Sequence, residues 1–337
     1  MLALAAARLG FDVAVLAREA GSPAGRVAAC EIVGAYNDAA AVRALAQVSH
    51  VVTFEFENVA ADAIATLQNE GVRVAPGAMA LAVSQDRVAE KTFLNTHGLA
   101  TTPFAAIETA ADIAPALERL GAPALLKTRR EGYDGKGQTW VADEADAAAA
   151  FARIGGQPAI LEAACFFERE LSVIAARGWD GETAFYALTE NRHEGGILRR
   201  SIAPAVAEDS VHAEAERIAS TLLHALGYVG VIGVELFAMP GGRLLVNEFA
   251  PRVHNSGHWT LDACEVDQFE QHVRAVAGWP LGPTGMLAGV EMQNLLGNEA
   301  ADWQALSAEP AARLWLYGKD EAAPGRKMGH VNRLKGL

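Results

Sequence analysis

Two apolar segments flanking Pro240-Gly241-Gly242 constrain this chain more than any other feature. VGVELFAM and GRLLVNEFA both read as strands, and the glycines between them predict an antiparallel hairpin. With Gly241-Gly242 as a two-residue turn, Glu235 falls directly opposite Glu248. Like charges so placed oppose pairing unless something neutralises them, and a donor set of oxygens without His or Cys favours Mg2+ over zinc. A solvated acidic pair on a sheet edge is the alternative, although both glutamates lie inside otherwise apolar strands.

Two further segments concentrate polar chemistry. KTRREGYDGKGQ, from Lys127 to Gln138, follows the apolar run APALL and precedes TWVA. Its glycines Gly132, Gly135 and Gly137 let backbone N–H groups approach an anion, and Lys127, Arg129, Arg130 and Lys136 supply charge. A phosphate-covering hairpin loop fits this pattern, with a plain flexible turn as the alternative. It is not a P-loop, since GxxxxGK[ST] is absent, nor a dinucleotide fingerprint, since no helix follows. NEFAPRVHNSGHWT then runs out of the second hairpin strand and brings Arg252, His254, Asn255, Ser256 and His258 close to Glu248. Such a set of donors suits an anion or polar substrate. The spacing of His254 and His258 also suits zinc, but Gly257 and the lack of HExxH argue against it.

The rest of the chain is organised around these segments. Its 337 residues predict two or three domains at roughly 100–200 residues each. From residue 1 to 83, strand-like runs (FDVAVLA, HVVTFEF, GVRVAP) alternate with Ala-rich helical stretches, the mark of a parallel α/β unit. SQDRVAEKTFLNTHG predicts a helix with Ser84 as N-cap and Gly98 as its stop. Residues 100–275 read as α+β and largely antiparallel, with helices near 111–120, 143–153 and 210–226. A tail after Trp279-Pro280 holds a strand, ARLWLYG, and a basic segment, PGRKMGH.

Charge and composition exclude several classes. Lys plus Arg number 28 against 41 for Asp plus Glu, a net charge of -13, which argues against a general binder of nucleic acid or anionic membranes. No apolar run approaches the roughly 18 residues of a membrane span, and MLALAAARLGF has no basic leader before it. Cys30, Cys165 and Cys264 form no CxxC pair and suit reduced thiols. The expectation is a soluble cytoplasmic protein.

Five strings, TFEFENV, KTRREGYDGKGQ, ENRHEGGILRRSIAPA, NEFAPRVHNSGHWT and YGKDEAAPGRKMGH, resemble the ATP-grasp superfamily. Within it they resemble the 5-(carboxyamino)imidazole ribonucleotide synthases of purine biosynthesis. The resemblance implies a Rossmann-like N-terminal domain (1–83), an ATP-grasp core (84–278) and a small C-terminal domain (279–337), an α/β and α+β combination. It implies a homodimer that carboxylates 5-aminoimidazole ribonucleotide with ATP and bicarbonate, through carboxyphosphate whose carboxyl group or released CO2 the substrate amine captures. Another ATP-grasp carboxylate-amine ligase and an inactive nucleotide-binding homologue are the alternatives.

Residue by residue, the resemblance implies that Arg87 and Lys127 touch the ATP phosphates and that Gly132, Tyr133, Asp134, Gly135, Lys136, Gly137 and Gln138 close over them. Glu162, Ala163, Ala164 and Cys165 would hold adenine, Glu170 the ribose, and His193 and Asn247 further parts of the nucleotide. Glu235 and Glu248 match Mg2+ ligands. Tyr133, Asp134, Lys136, Arg252, His254, Asn255, Ser256, Lys319 and Arg326 match the surroundings of the ribonucleotide, with Arg252, the grip for bicarbonate, and Lys136 as catalytic candidates. Two departures stand out: Met1-Leu2-Ala3 aligns just after a first strand and GGGQLG-type loop usual in the family, and Glu131 sits where a small residue is common.

Overall fold

The structure, a computed structural model, describes residues 1–132 and 135–336. The N-terminal region alternates as its pattern predicts. Strand β1 (Ala14–Ala17) runs parallel to β2 (Cys30–Val33), and β3 (Val51–Val52) parallel to β4 (Arg73–Val74). Helix α1 (Leu2–Arg8) precedes them, and α2 (Ala39–Gln47) and α3 (Ala61–Asn69) bury Val42, Leu45, Ile64 and Leu67 against Val52 and Val74. The two strand pairs remain separate sheets, and residues of both, Leu16 and Val52 among them, line an apolar cavity of about 640 Å³.

Helix α4 (Ala78–Ser84) leads into α5 (Arg87–Thr96). Ser84 does not cap α5: it ends α4, and the Asp86 carboxylate accepts from the Val88 and Ala89 N–H groups. An anionic cap also meets the positive end of the helix dipole, and Arg129 neutralises it at 2.7 Å. Gly98, at φ +73°, follows the C-cap as the sequence predicts.

Strands β5 (Phe104–Ile107), β6 (Ala124–Thr128), β7 (Gln138–Val141) and β8 (Ala159–Ala163) form an antiparallel sheet in the order β5-β8-β6-β7. Helices α6 (Ile113–Leu120) and α7 (Ala147–Arg153) cover it, burying Ile113, Leu117, Leu126 and Leu161. The Gly-rich segment is the loop of the β6–β7 hairpin, where Lys127 pairs with Gln138.

The remaining strands build one antiparallel sheet. In chain order they are β9 (Arg169–Arg177), β10 (Thr183–Phe185), β11 (Thr189–Glu194), β12 (Ile197–Ala203), β13 (Gly230–Ala238), β14 (Leu244–Ala250), β15 (Gly289–Leu296), β16 (Ala312–Leu316) and β17 (Lys327–Lys335). Their spatial order is β14-β13-β9-β11-β12-β15-β17-β16, with β10 beside β9, so the C-terminal strands extend the central sheet. Alternation along β9 sends Leu171, Val173 and Ala175 towards helix α8 (Asp209–Ala225), with Ile218 and Leu222. Ile174 and Ala176 face the other way, onto Trp259, the single-turn α9 (Thr260–Ala263) and Phe269 and Val273 of α10 (Gln268–Ala277). Among the described residues no helix is long and apolar enough to cross a membrane.

Candidate active site

The hairpin that opened the sequence reading sets the geometry of the cleft. Glu235 pairs with Glu248 as expected, but not through a two-residue turn. Met239 N–H donates to Arg243 O, which makes Pro240-Gly241-Gly242 a three-residue loop, and the register shifts by one between Glu235 and Leu236. The shift leaves Asn247 as an extra residue on β14, a bulge that restores the glutamates to opposite positions.

Each glutamate carries a cationic or protonatable partner. Glu248 accepts from Arg87 at 2.7 Å, and Glu235 lies 3.2 Å from His254 Nε2. Burial alone would raise the Glu235 pKa, but the hydrogen bond and charge of His254 hold it at about 2. Glu248 stays below its ordinary value because Arg87 outweighs burial and the charge of Glu235. Asn247 sits between them: its Nδ2 reaches Glu235 at 3.5 Å, while its buried Oδ1 has no hydrogen-bond partner. Two carboxylates and an orphaned amide oxygen form an all-oxygen donor set of the kind Mg2+ takes.

Behind this pair lies a buried ladder of charges. Glu162, on β8, is clasped by Lys127 at 2.9 Å and Lys91 at 3.4 Å, and Lys91 also donates to Asn247 O. Burial opposes the Glu162 charge, but the two lysines hold its pKa below the usual value. Glu90 is also buried and accepts from Phe249 N–H at 2.8 Å; burial and the nearby Glu248 push it up to about 8. Neither Glu90 nor Lys91 was singled out by sequence, although both lie within one turn of Arg87 on α5 and face the same side. Arg129 and Arg130, expected to serve the loop, are engaged with Asp86, and Arg129 also with Glu108.

Above the glutamates, Arg87 also donates to Gly132 O, which ties the Gly-rich loop to the metal-type hairpin. Gly135 (φ +76°) packs on the turn after β11, where an added Cβ would stand 3.2 Å from Gly195 O. Gly137 (φ +70°) packs on Thr128, and Gln138 begins β7. Glu131 adopts φ +61°, the left-handed region that a glycine enters freely. Tyr133 and Asp134 lie outside the described residues.

The polar cluster after β14 converges on the same cleft. Arg252 grips Glu57 through two hydrogen bonds, so TFEFENV contributes a carboxylate that sequence reasoning had given no role. His254 Nδ1 pairs with Ser256 Oγ at 2.9 Å, and Ser256 continues through Ser172 and Asn191 to Ser201 in a buried chain of hydrogen bonds. Asn255 and Asn294 exchange amide hydrogen bonds, at 2.9 and 2.6 Å. Arg87, Glu90, Glu248, Arg252, His254 and Glu57 line one cavity of about 90 Å³.

Of the residues expected to meet the nucleotide, His193 pairs with Glu170, which raises the imidazole pKa against the effect of burial. Ala163 ends β8, Ala164 follows, and Cys165 lies beside Met239, 3.7 Å between sulfurs, with Phe167 stacked on Phe237. In the tail, Lys319 is half-buried and donates to Lys327 O at 2.7 Å. Arg326 is exposed and donates to Glu321 O within its own loop.

Comparison with known proteins identifies the family. Residues 1–85 match the ribonucleotide synthetase preATP-grasp domain, 92–269 the ATP-grasp domain, and 291–336 the phosphoribosylaminoimidazole carboxylase C-terminal domain. The N5-carboxyaminoimidazole ribonucleotide synthase of Brucella melitensis is 50% identical over 337 residues, covering 99% of this chain and 93% of that protein. The crystal structure of the Thermus thermophilus synthetase superposes with a TM-score of 0.93 at 44% identity, over 100% of this chain and 91% of that one. The Aspergillus clavatus enzyme, solved with ADP and 5-aminoimidazole ribonucleotide, gives a TM-score of 0.94 at 30% identity, again over 100% and 91%. The chain belongs to the N5-carboxyaminoimidazole ribonucleotide synthase family of ATP-grasp ligases.

Proposed function

We propose that this enzyme uses ATP to join bicarbonate to the amine of 5-aminoimidazole ribonucleotide, releasing N5-carboxyaminoimidazole ribonucleotide, ADP and phosphate. The observation that carries the reading is the facing pair Glu235 and Glu248, with the unpartnered amide oxygen of the bulged Asn247 on the same strand as Glu248 and with Arg87 paired to Glu248. Glu235, Glu248 and Asn247 would hold Mg2+, which neutralises charge on the transferring phosphoryl group when bound.

The chain's own residues then divide the work. Arg87 and Lys127 place positive charge at the phosphates, and Glu162, itself also paired with Lys91, fixes the Lys127 ammonium. The loop from Gly132 to Gln138 covers the phosphates and excludes water, with Lys136 supplying charge. Adenine is assigned to the apolar wall of Ala163, Ala164, Cys165 and Phe167, and the ribose to Glu170, whose carboxylate His193 orients. Arg252, held by Glu57, grips bicarbonate as it attacks the γ-phosphorus, and the resulting carboxyphosphate delivers its carboxyl group to the amine. His254, Asn255, Ser256 and the tail residue Lys319, with Tyr133, Asp134 and Arg326 from the motif match, surround the ribonucleotide. The same reading makes the enzyme a cytoplasmic homodimer on family resemblance, with domain limits near 83 and 278.

Phosphate release from ATP, measured with bicarbonate and with or without 5-aminoimidazole ribonucleotide, tests the proposal. Stimulation by the ribonucleotide with formation of its carboxylated product is the expected result. Stimulation by a different amine alone would assign the site to another ligase reaction.

A further inference from the structure

The segment from Tyr317 to Asp320 leaves the end of β16 and is fastened on two sides. On one side the Tyr317 N–H donates to Met328 O at 2.9 Å, and its hydroxyl meets His330 Nδ1 at 2.8 Å. His330 is fully buried, and burial takes its pKa down to about 3, so the imidazole that anchors the hydroxyl is neutral. The Tyr317 ring is wedged by the His258 ring, edge-on at 6.3 Å, while Trp315 stacks on the opposing His330 at 6.2 Å. Burial also holds the phenol above its usual pKa, which keeps the ring uncharged and its face attractive to a cation.

On the other side the segment is tied to the N-terminal region. Arg26 donates to Gly318 O at 2.9 Å and pairs with Asp320 at 3.1 Å. Gly318 takes φ +65°, which turns the chain between these anchors. Lys319 is therefore the residue whose backbone is pinned from both neighbours. Its ammonium lies over the Tyr317 ring, 5.4 Å from the centroid, and donates to Lys327 O. A lysine side chain has several freely rotating bonds and gives up much entropy when it is ordered, so a ligand that needs this charge in one place gains if the protein has already placed it.

We propose that Tyr317 is a positioning residue for the ribonucleotide site: its ring face, fixed by His330 and His258, holds the Lys319 ammonium where the dianionic phosphate of the substrate is bound. The inference rests on the functional reading above and adds a residue that touches no reacting atom. Removing the ring takes away one hold on the Lys319 ammonium without removing its charge. Tyr317 then acts on substrate affinity alone and only through Lys319.

A double-mutant cycle in the full-length enzyme tests this. Tyr317→Leu should raise the KM for 5-aminoimidazole ribonucleotide by about threefold to thirtyfold, the range set by a cation–π contact, with kcat and the KM for ATP unchanged. In a Lys319→Ala background the same substitution should add no further rise. Tyr317→Phe keeps the ring and loses only the anchor to His330, so it should give a smaller rise that also vanishes without Lys319; this near-isosteric variant serves if the leucine variant does not fold. An equal rise in both backgrounds, or a fall in kcat with KM preserved, overturns the proposal while the functional reading stands. A Lys319→Ala enzyme with normal KM for the ribonucleotide removes the lysine from the site and the proposal with it. A wild-type enzyme whose phosphate release ignores the ribonucleotide overturns the functional reading itself.

Discussion

Glu235 faces Glu248 across the β13–β14 ladder because Asn247 bulges out of β14 between them. The one-residue bulge does two things at once. It sets two glutamates opposite each other where like charges oppose pairing, and the bulged residue itself carries a buried amide oxygen without a partner. Arg87 and His254 hold this arrangement together by pairing with one glutamate each.

Glu248→Gln is expected to lower Mg2+-dependent turnover by at least about a hundredfold, since it removes a charged member of the donor set and the partner of Arg87. The fold should survive. Loss of the Arg87 pair is offset by relief of the repulsion from Glu235, so the Tm should move by less than about 4 °C. Phosphate release and thermal melts of the same preparation check both halves, and near-normal turnover would refute the metal assignment.

Gly135→Val should damage phosphate transfer far more than nucleotide binding. The substitution forces a β-branched residue into a left-handed conformation and presses its Cβ against Gly195 O, so the loop is displaced from the turn after β11. Titration calorimetry with AMP and ATP, compared with single-turnover phosphate release, separates the two effects. Equal losses of affinity for both nucleotides with normal turnover of bound ATP would contradict the loop's assignment.

Lys91→Met is expected to destabilise the enzyme by about 3 kcal/mol at pH 7, because it takes one of two cations from a buried carboxylate. The sign of its pH dependence follows from Glu162. The folded pKa of Glu162 lies below its ordinary 4.5, so its ion pairs contribute stability above that value and lose it as pH falls through the folded pKa. The gap between wild type and variant should therefore narrow in acid, as read from denaturant midpoints at pH 7 and pH 4. A gap unchanged on acidification would show that Lys91 acts by packing.

His272 gives an acid-side prediction of its own. Val231 N–H donates to its Nδ1 at 3.0 Å, so the proton sits on Nε2, which faces Thr53 Oγ1 at 2.6 Å. Burial takes its pKa from 6.5 to about 4, and the stability of the neutral form is fully present above 6.5 and lost progressively as pH falls towards 4. His272→Gln, which keeps an acceptor for Val231, should reduce the acid-induced loss between pH 7 and 4.5 by on the order of 1–2 kcal/mol. Parallel pH profiles for the two proteins would place the acid sensitivity elsewhere.

What could be read in the sequence was whatever rested on local pattern. The glutamate pair, the loop between β6 and β7, and the cluster from Arg252 to Ser256 all follow from residues close along the chain. The turn was misjudged because the bulge at Asn247 offsets a three-residue loop, and the two shifts cancel at the glutamates. Ser84 and Asp86 are both good caps, and only Arg129, distant in sequence, decides between them. Helix α10 went unseen although Phe269, Val273, Val276 and Ala277 recur at helical spacing, and its polar residues Gln268, Gln271 and His272 are buried as well. Glu57, Glu90 and Lys91 carry no motif of their own, and their place in the cleft comes from the packing of α5 and the N-terminal region against β14.

The central sheet does not stop at the end of the nucleotide-binding core. Strand β12 is paired along Arg200–Ala203 by β15, and β17 and β16 follow outward. A shortened version of the chain ending before Gly289 would leave the outer backbone groups of β12 bare, with the hydrogen bond from Asn294 to Leu198 O also gone. Bare edges of this kind recruit strands from other molecules. The last fifty or so residues thus act as a sheath for the core, and trimming them should yield clumped protein sooner than a smaller enzyme.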